Sequence, residues 1–242
     1  MKSLIIANWK MNPASLKEAK ALFDAVKKGV KNAPADVVIC PPVIYLGGLH
    51  GLPIGMQNIF YKEKGAFTGE VSAAMARDAG AEYVIVGHSE RRNYFAETNE
   101  DTNKKIKAAL DIGLFPIFCV GEMAEERELK AEVLEKQLLE GLKGISTADA
   151  KKVIIAYEPV WAIGTGNNCS VDETLSSLLF IRKTISNMYS RQVADSLRIL
   201  YGGSVKAENG ASYIKEGGVN GLLVGGASLD AEEFVAIVKS AG

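Results

Sequence analysis

Val153-Ile154-Ile155-Ala156-Tyr157-Glu158-Pro159-Val160-Trp161-Ala162-Ile163-Gly164-Thr165-Gly166 is the stretch from which the fold is read. Its opening run, 153–156, is short, apolar and β-branched, the pattern of a parallel strand buried on both faces. A carboxylate at the end of such a strand, followed by a proline, is held stiffly in a half-dry setting. Desolvation there favours the neutral acid, so the Glu158 pKa is expected to rise toward a value useful to a base at neutral pH. Two glycines, Gly164 and Gly166, follow the aromatic and branched residues and read as the joints of a lid. Taken alone, Glu158 reads equally well as a strand-end charge capping a helix.

Runs of the same kind recur on both sides of this stretch, at 4–7, 37–40, 54–57, 83–87, 115–120, 197–201 and 221–224. Amphipathic stretches separate most of them. Leu16, Ala19, Leu22, Phe23 and Val26 fall at three- and four-residue steps behind Ser15, a candidate cap. Similar periodicity marks 133–142, 171–188 with Asp172 and Glu173 near its start, and 234–238 behind Asp230. Eight strands alternating with helices, without a long linker, predict one (β/α)8 barrel domain over 1–242. A doubly wound sheet remains the rival on periodicity alone. The glycine-rich connection 41–53 is short, so a stunted helix is expected there.

Composition narrows the function classes. A net charge of −1 over 242 residues leaves no basic footprint for nucleic acid or an anionic membrane. The N-terminal apolar run, Leu4-Ile5-Ile6-Ala7, is too short for a signal peptide or a membrane span. Three cysteines, Cys40, Cys119 and Cys169, lack CxxC spacing and suggest neither a disulfide framework nor a zinc site. Cys40 and Cys119 end apolar runs and read as buried thiols. A reducing cytoplasm is the expected location.

In a barrel the chemistry gathers where strands end. The first end carries Asn8-Trp9-Lys10, with the lysine aimed by the tight turn at Asn12-Pro13. The third leads into the loop 58–69, whose three aromatics point to burial against a partner surface or against its own barrel. The fourth is Gly87-His88-Ser89-Glu90-Arg91-Arg92, where His88 opens a polar turn. A helix starting there lowers the His pKa and keeps the ring neutral as a hydrogen-bond donor. Ser89 with a His and a Glu lacks the G-x-S-x-G elbow of a hydrolase. The fifth end leaves Glu122 open, a helix-start charge being one reading. The seventh and eighth, Tyr201-Gly202-Gly203-Ser204 and Val224-Gly225-Gly226, expose backbone N–H groups where barrels often bind phosphate.

The strand ends thus supply Glu158 as a base, His88 and Lys10 as hydrogen-bond donors, and a glycine-built phosphate cradle. No H-E-x-x-H, carboxylate cluster or G-x-G-x-x-G supports a metal or dinucleotide. A base with neutral and cationic donors suits removal of a proton beside a carbonyl, the donors stabilising the developing oxyanion.

Asn8-Trp9-Lys10, Gly65-Ala66-Phe67-Thr68-Gly69-Glu70, Gly87-His88-Ser89-Glu90-Arg91-Arg92, 157–166, Tyr201-Gly202-Gly203-Ser204 and Leu223-Val224-Gly225-Gly226 together resemble the triosephosphate isomerase family, in family order along the whole chain. The pairing of a glutamate base with a neutral histidine under a closing loop in that family is a standard example of pKa tuning. The resemblance implies interconversion of dihydroxyacetone phosphate and D-glyceraldehyde 3-phosphate through an enediol(ate), without metal or organic cofactor. It implies that Glu158 shuttles the proton, His88 is the neutral electrophile, and Lys10, helped by Asn8 and positioned by Glu90, supplies positive potential. It makes 159–166 the lid, with the Gly164 N–H on the phosphate beside Ser204, Gly225 and Gly226. It further implies a homodimer in which the loop 58–69 carries Thr68 to the neighbour's active site.

Three departures stand out. The segment after Pro42 is short, Asn167-Asn168-Cys169 occupies the lid's far joint, and Met123-Ala124-Glu125-Glu126 follows Glu122. The second is expected to alter opening kinetics rather than abolish activity. Two other readings stay open, another sugar-phosphate isomerase of the same fold and a catalytically dead phosphate-binding relative. The first lacks a second strand-end carboxylate, and the second conflicts with retention of Lys10, His88 and Glu158.

Overall fold

Along the first strand Leu4 and Ile6 face one way and Ile5 and Ala7 the other, and all four are buried. Side chains alternate across a strand, so a run that is apolar at every position needs cover on both faces. The computed structural model, which describes residues 1–163 and 168–242, supplies that cover in two layers. Leu4, Ile6, Val38, Cys40, Ile85, Ile117, Cys119, Ile154, Ala156, Leu200 and Leu223 form one cluster, the filling of the barrel. Ile5, Ala7, Val37, Ile39, Val84, Val86, Phe118, Ile155, Ile199 and Leu222 join the larger cluster under the helices.

The strands are β1 (Leu4–Asn8), β2 (Asp36–Cys40), β3 (Gly55–Met56), β4 (Tyr83–Val86), β5 (Phe115–Val120), β6 (Ile154–Tyr157), β7 (Ile199–Tyr201) and β8 (Gly221–Val224). Every recorded pairing is parallel, in the order β2-β1-β8-β7-β6-β5-β4-β3. A parallel bridge between Ile39 and Ile54 joins the ends, so the sheet closes as a (β/α)8 barrel rather than remaining open and doubly wound. At Gly221 (φ 151°) a Cβ would lie 1.9 Å from the Leu4 carbonyl oxygen, so only glycine lets β8 meet β1 there.

The outer layer comprises α1 (Leu16–Gly29), α2 (Ala73–Asp78), α3 (Ser89–Phe95), α4 (Asn99–Asp111), α5 (Lys130–Gly141), α6 (Thr147–Ala150), α7 (Val171–Met188), α8 (Arg191–Ser196), α9 (Gly210–Lys215) and α10 (Ala231–Ser240). Ser15 caps α1 by accepting the Glu18 N–H, as expected, and Ala19, Phe23 and Val26 form its buried stripe. Burying a Phe or Val side chain stabilises the fold by about 1.5–3 kcal/mol. The 41–53 connection holds a short 3-10 turn, Val43–Gly48, in place of a full helix.

Boundaries moved for local reasons. The third strand contracts to two residues, and the seventh starts at Ile199 because the Leu197 N–H closes α8 on the Val193 carbonyl. The long helix α4 lies outside the periodic stretches of the sequence because its inner face includes Thr102 and Lys105, which blur the apolar stripe. Its start is marked by a Thr98/Asp101 capping box.

Candidate active site

One mouth of the barrel gathers the residues that follow β1, β4, β6, β7 and β8. A cavity of about 840 Å³ there is lined by Asn8, Lys10, His88, Glu158, Ser204, Gly225 and Gly226, all seven drawn from five separate strand ends.

Glu158 leaves β6 pressed between two glycines. A Cβ at Gly121 would stand 1.7 Å from the Glu158 carbonyl oxygen, and one at Gly202 would stand 2.8 Å from its Cγ. The Glu158 N–H donates to the Val120 carbonyl (2.8 Å) and the Gly202 N–H to the Tyr157 carbonyl (2.8 Å). The side chain is buried, with Oε1 3.1 Å from His88 Nε2 and Oε2 accepting the Ser89 N–H at 3.2 Å.

His88 is the N-cap of α3, as the polar turn suggested. Its Nδ1 accepts the Glu90 N–H at 3.2 Å, which puts the one proton of a neutral ring on Nε2, facing Glu158. Burial is the largest single influence and lowers the His88 pKa, but the Glu158 and Glu90 carboxylates together outweigh it, so the net direction is upward rather than down as a helix N-terminus alone implies. Glu158 moves against expectation as well. Burial pushes its carboxyl up, yet His88, the Ser89 N–H and Lys10 together hold it below the ordinary carboxylate range. The sequence reading counted desolvation and missed the partners that a closed barrel brings to the same point.

Lys10 sits at φ 53° with its N–H on Asn8 Oδ1 (3.1 Å) and its Nζ on Glu90 Oε1 (2.6 Å). The Asn8 amide nitrogen lies 3.3 Å from His88 Nε2, which places Asn8 between the lysine backbone and the histidine ring. The Gln57 amide donates to both the Lys10 and Cys40 carbonyls (2.8 and 2.9 Å), a tether to which the strand reading assigned no role.

On the opposite wall Ser204 donates both its hydroxyl (2.6 Å) and its N–H (3.2 Å) to the Ala162 carbonyl. In this arrangement neither donor is free, and an anion must displace Ala162 to use them. Gly226 has nothing within 4 Å of a Cβ position, and a Cβ at Gly225 would touch the Lys10 stem at 3.2 Å. Gly164, with the rest of 164–167, lies outside the described residues. Thr68 is exposed in the loop 58–69 and lines none of this cavity.

Two buried carboxylates support the site. Glu122 is no helix-start charge. It is completely buried, its Oε1 accepting from Trp161 Nε1 (2.8 Å) and the Tyr157 hydroxyl (3.1 Å), and burial raises its carboxyl. Glu97, which the sequence reading missed, accepts the Gly87 N–H (2.9 Å), Arg91 Nε (2.7 Å) and Lys105 Nζ (2.6 Å). It pins the turn that carries His88, and Lys105 in turn reaches Asn58 Oδ1 at 2.8 Å. The only local signal was the Thr98 capping box beside it. All three cysteines are buried and unpaired, and burial raises the thiols of Cys40 and Cys119. No group of three His, Cys, Asp or Glu side chains among the described residues could hold a metal ion.

The family model described as triosephosphate isomerase matches residues 3–241. Proteins named triosephosphate isomerase from Alkaliphilus oremlandii and Dictyoglomus thermophilum are 45% and 44% identical to the chain, covering 98% and 99% of it and 99% of each relative. The protein of that name from Carboxydothermus hydrogenoformans is 47% identical over 98% of both chains. A barrel with these strand-end residues, matched over its length by these relatives, belongs to the triosephosphate isomerase family.

Proposed function

We propose that the protein is a triosephosphate isomerase that interconverts dihydroxyacetone phosphate and D-glyceraldehyde 3-phosphate, in glycolysis and gluconeogenesis. The observation that carries this reading is the meeting of Glu158, His88 and Lys10 on one cavity whose far wall is the two Gly-Gly turns.

The Glu158 carboxylate removes a proton from the carbon beside the substrate carbonyl. That C–H electron pair becomes the new carbon–carbon double bond, and the carbonyl electrons move to oxygen. His88 Nε2–H and Lys10 Nζ stabilise the resulting enediolate. A proton passes from the hydroxyl on the first carbon to the enolate oxygen. As Glu158 returns its proton to the neighbouring carbon, the double-bond electrons form that new C–H bond and the first oxygen's electrons form the new carbonyl. Asn8 and Glu90 orient the lysine and the ring. Ser204, Gly225, Gly226 and, from the lid 159–166, Gly164 hold the phosphate, which fixes the reacting carbons and lowers the entropic part of the barrier.

This reading also accounts for the direction of the Glu158 shift. A substrate carbonyl that takes the Nε2 proton of His88 separates the carboxylate from its partner. Burial is the largest influence on Glu158, so losing that partner moves its carboxyl upward from the unliganded position, against the Ser89 N–H and Lys10, which still hold it down.

The chain works as one domain, 1–242, in the cytoplasm, a location that fits three unpaired buried thiols. It works as a homodimer through the loop 58–69. Phe60, Tyr61 and Phe67 of that loop cluster, with centroids 4.4–4.6 Å apart. Phe67 at 42% exposure, and Met11 at 93%, which shares a cavity with Asn58 and Gly69 of the loop, leave apolar surface for a second copy to cover. Thr68 would then serve the neighbour's site.

The test is turnover of glyceraldehyde 3-phosphate coupled to an NADH-dependent dehydrogenase that consumes dihydroxyacetone phosphate. Robust turnover that is lost in Glu158→Gln supports the reading, and an inactive parent protein overturns it.

A further inference from the structure

The backbone beside Glu158 is tied on both flanks of Gly121, the Val120 carbonyl accepting the Glu158 N–H (2.8 Å) and the Glu122 carbonyl accepting the Val160 N–H (3.0 Å). Gly121 follows the last residue of β5, and its Cα rests against the Glu158 carbonyl, where no larger residue fits. A cavity of about 180 Å³ opens on this side, lined by Gly121, Gln137 and Glu158. Between its tied neighbours the Gly121 peptide has no packing against it on the cavity side and is free to tilt there.

Gln137, on α5, closes that freedom. Its Oε1 accepts the Gly121 N–H at 2.8 Å and its Nε2 donates to the Gly121 carbonyl at 3.0 Å. Gly121 can only donate through nitrogen and accept through oxygen, so the pairing fixes which end of the amide faces which atom. Both backbone groups of one residue are thus gripped by one side chain, and that residue is the surface on which the base leans.

We propose that Gln137 is a positioning residue for the Glu158 base, acting through the Gly121 backbone. The inference rests on the isomerase reading and on Glu158 as its base. Gln137 touches no part of the cavity that faces His88 and Lys10, so its influence falls on the proton-transfer step rather than on substrate binding. A shift of the carboxylate by a few tenths of an ångström is expected to slow enolisation about tenfold.

The experiment compares the parent protein with Gln137→Met, which keeps length and helix preference but neither hydrogen bond. Asn103→Leu is the control, since Asn103 likewise donates to two backbone carbonyls, Gly141 (2.8 Å) and Lys143 (3.0 Å), away from the site. Three quantities are read: kcat, KM, and the primary isotope effect on substrate deuterated at the carbon that loses its proton. The expected result for Gln137→Met is a kcat about tenfold lower, a KM within twofold, and a larger isotope effect, with Asn103→Leu unchanged in all three. Retained kcat in Gln137→Met overturns the proposal, as does an equal fall in kcat for Asn103→Leu. If Gln137→Met does not fold, Gln137→Glu takes its place with the same criteria, because an ionised carboxylate accepts the Gly121 N–H but cannot donate to its carbonyl. An inactive parent protein would instead remove the isomerase reading itself.

Discussion

Replacing Glu97 with glutamine preserves shape while removing the single negative charge among three donors. The Glu97 side chain is 2% exposed and that of Lys105 only 6%, whereas Arg91 at 28% can turn toward water. Lys105 therefore bears the loss, left in the interior beside a neutral amide. Breaking a buried ion pair from one side costs about 3–5 kcal/mol. The new amide oxygen can still accept one hydrogen bond, so the lower end, about 3 kcal/mol, applies here. For a chain of this size that is a fall in Tm of roughly 6–12 °C.

The pH dependence has a definite sign. Burial raises the Glu97 carboxyl, but Lys105, Arg91 and the Gly87 N–H outweigh it and hold the folded-state pKa below the ordinary value. A carboxyl depressed in the folded state contributes its full stability above the unfolded-state pKa of about 4.3 and loses it as the pH falls through the folded value. The gap between parent and Glu97→Gln is thus expected to be flat from pH 6 to 8 and to narrow only below about 4.3. Equilibrium denaturation monitored by circular dichroism across pH reads it directly. A gap under about 1 kcal/mol at pH 7, or one that widens on acidification, would refute the reasoning.

Other substitutions separate the roles within the site. Glu158→Asp draws the carboxylate back by about one C–C bond from contacts of 3.1 and 3.2 Å, and kcat is expected to fall roughly 100-fold or more at nearly unchanged Tm. Near-parental kcat in the coupled assay would remove Glu158 as the base. Lys10→Met deletes the cation held 2.6 Å from Glu90 and is expected to lower kcat/KM for the anionic substrate roughly 100-fold, with unaltered kinetics as the refuting result. Tyr213→Phe removes a buried hydroxyl that donates to the Cys169 carbonyl at 2.7 Å while Tyr213 stacks on Tyr201. It is expected to cost about 1–3 kcal/mol of stability, and denaturation curves that superimpose would exclude that bond as a significant anchor.

The sequence by itself determined the alternation of strands and helices, the cap at Ser15, the stunted connection after Pro42, and which residues stand at strand ends. Each of these depends on neighbours within a turn or two, so periodicity and turn chemistry reach them. Lys10, His88, Glu158 and the glycine pairs were legible because the chemistry of a barrel lies at one end of every strand. Only the tertiary structure decided what those residues meet. Closure through Ile39 and Ile54 is a property of the whole ring, which no local pattern distinguishes from an open sheet. The downward shift of Glu158 requires His88, delivered two strands away around the barrel, to oppose a desolvation that the local sequence already implied. Glu97, Glu122 and Gln137 look like ordinary polar residues along the chain. Their roles come from partners dozens of residues away or from a neighbouring element, and burial strengthens those contacts because the same dry interior that penalises an unpaired polar group rewards a paired one.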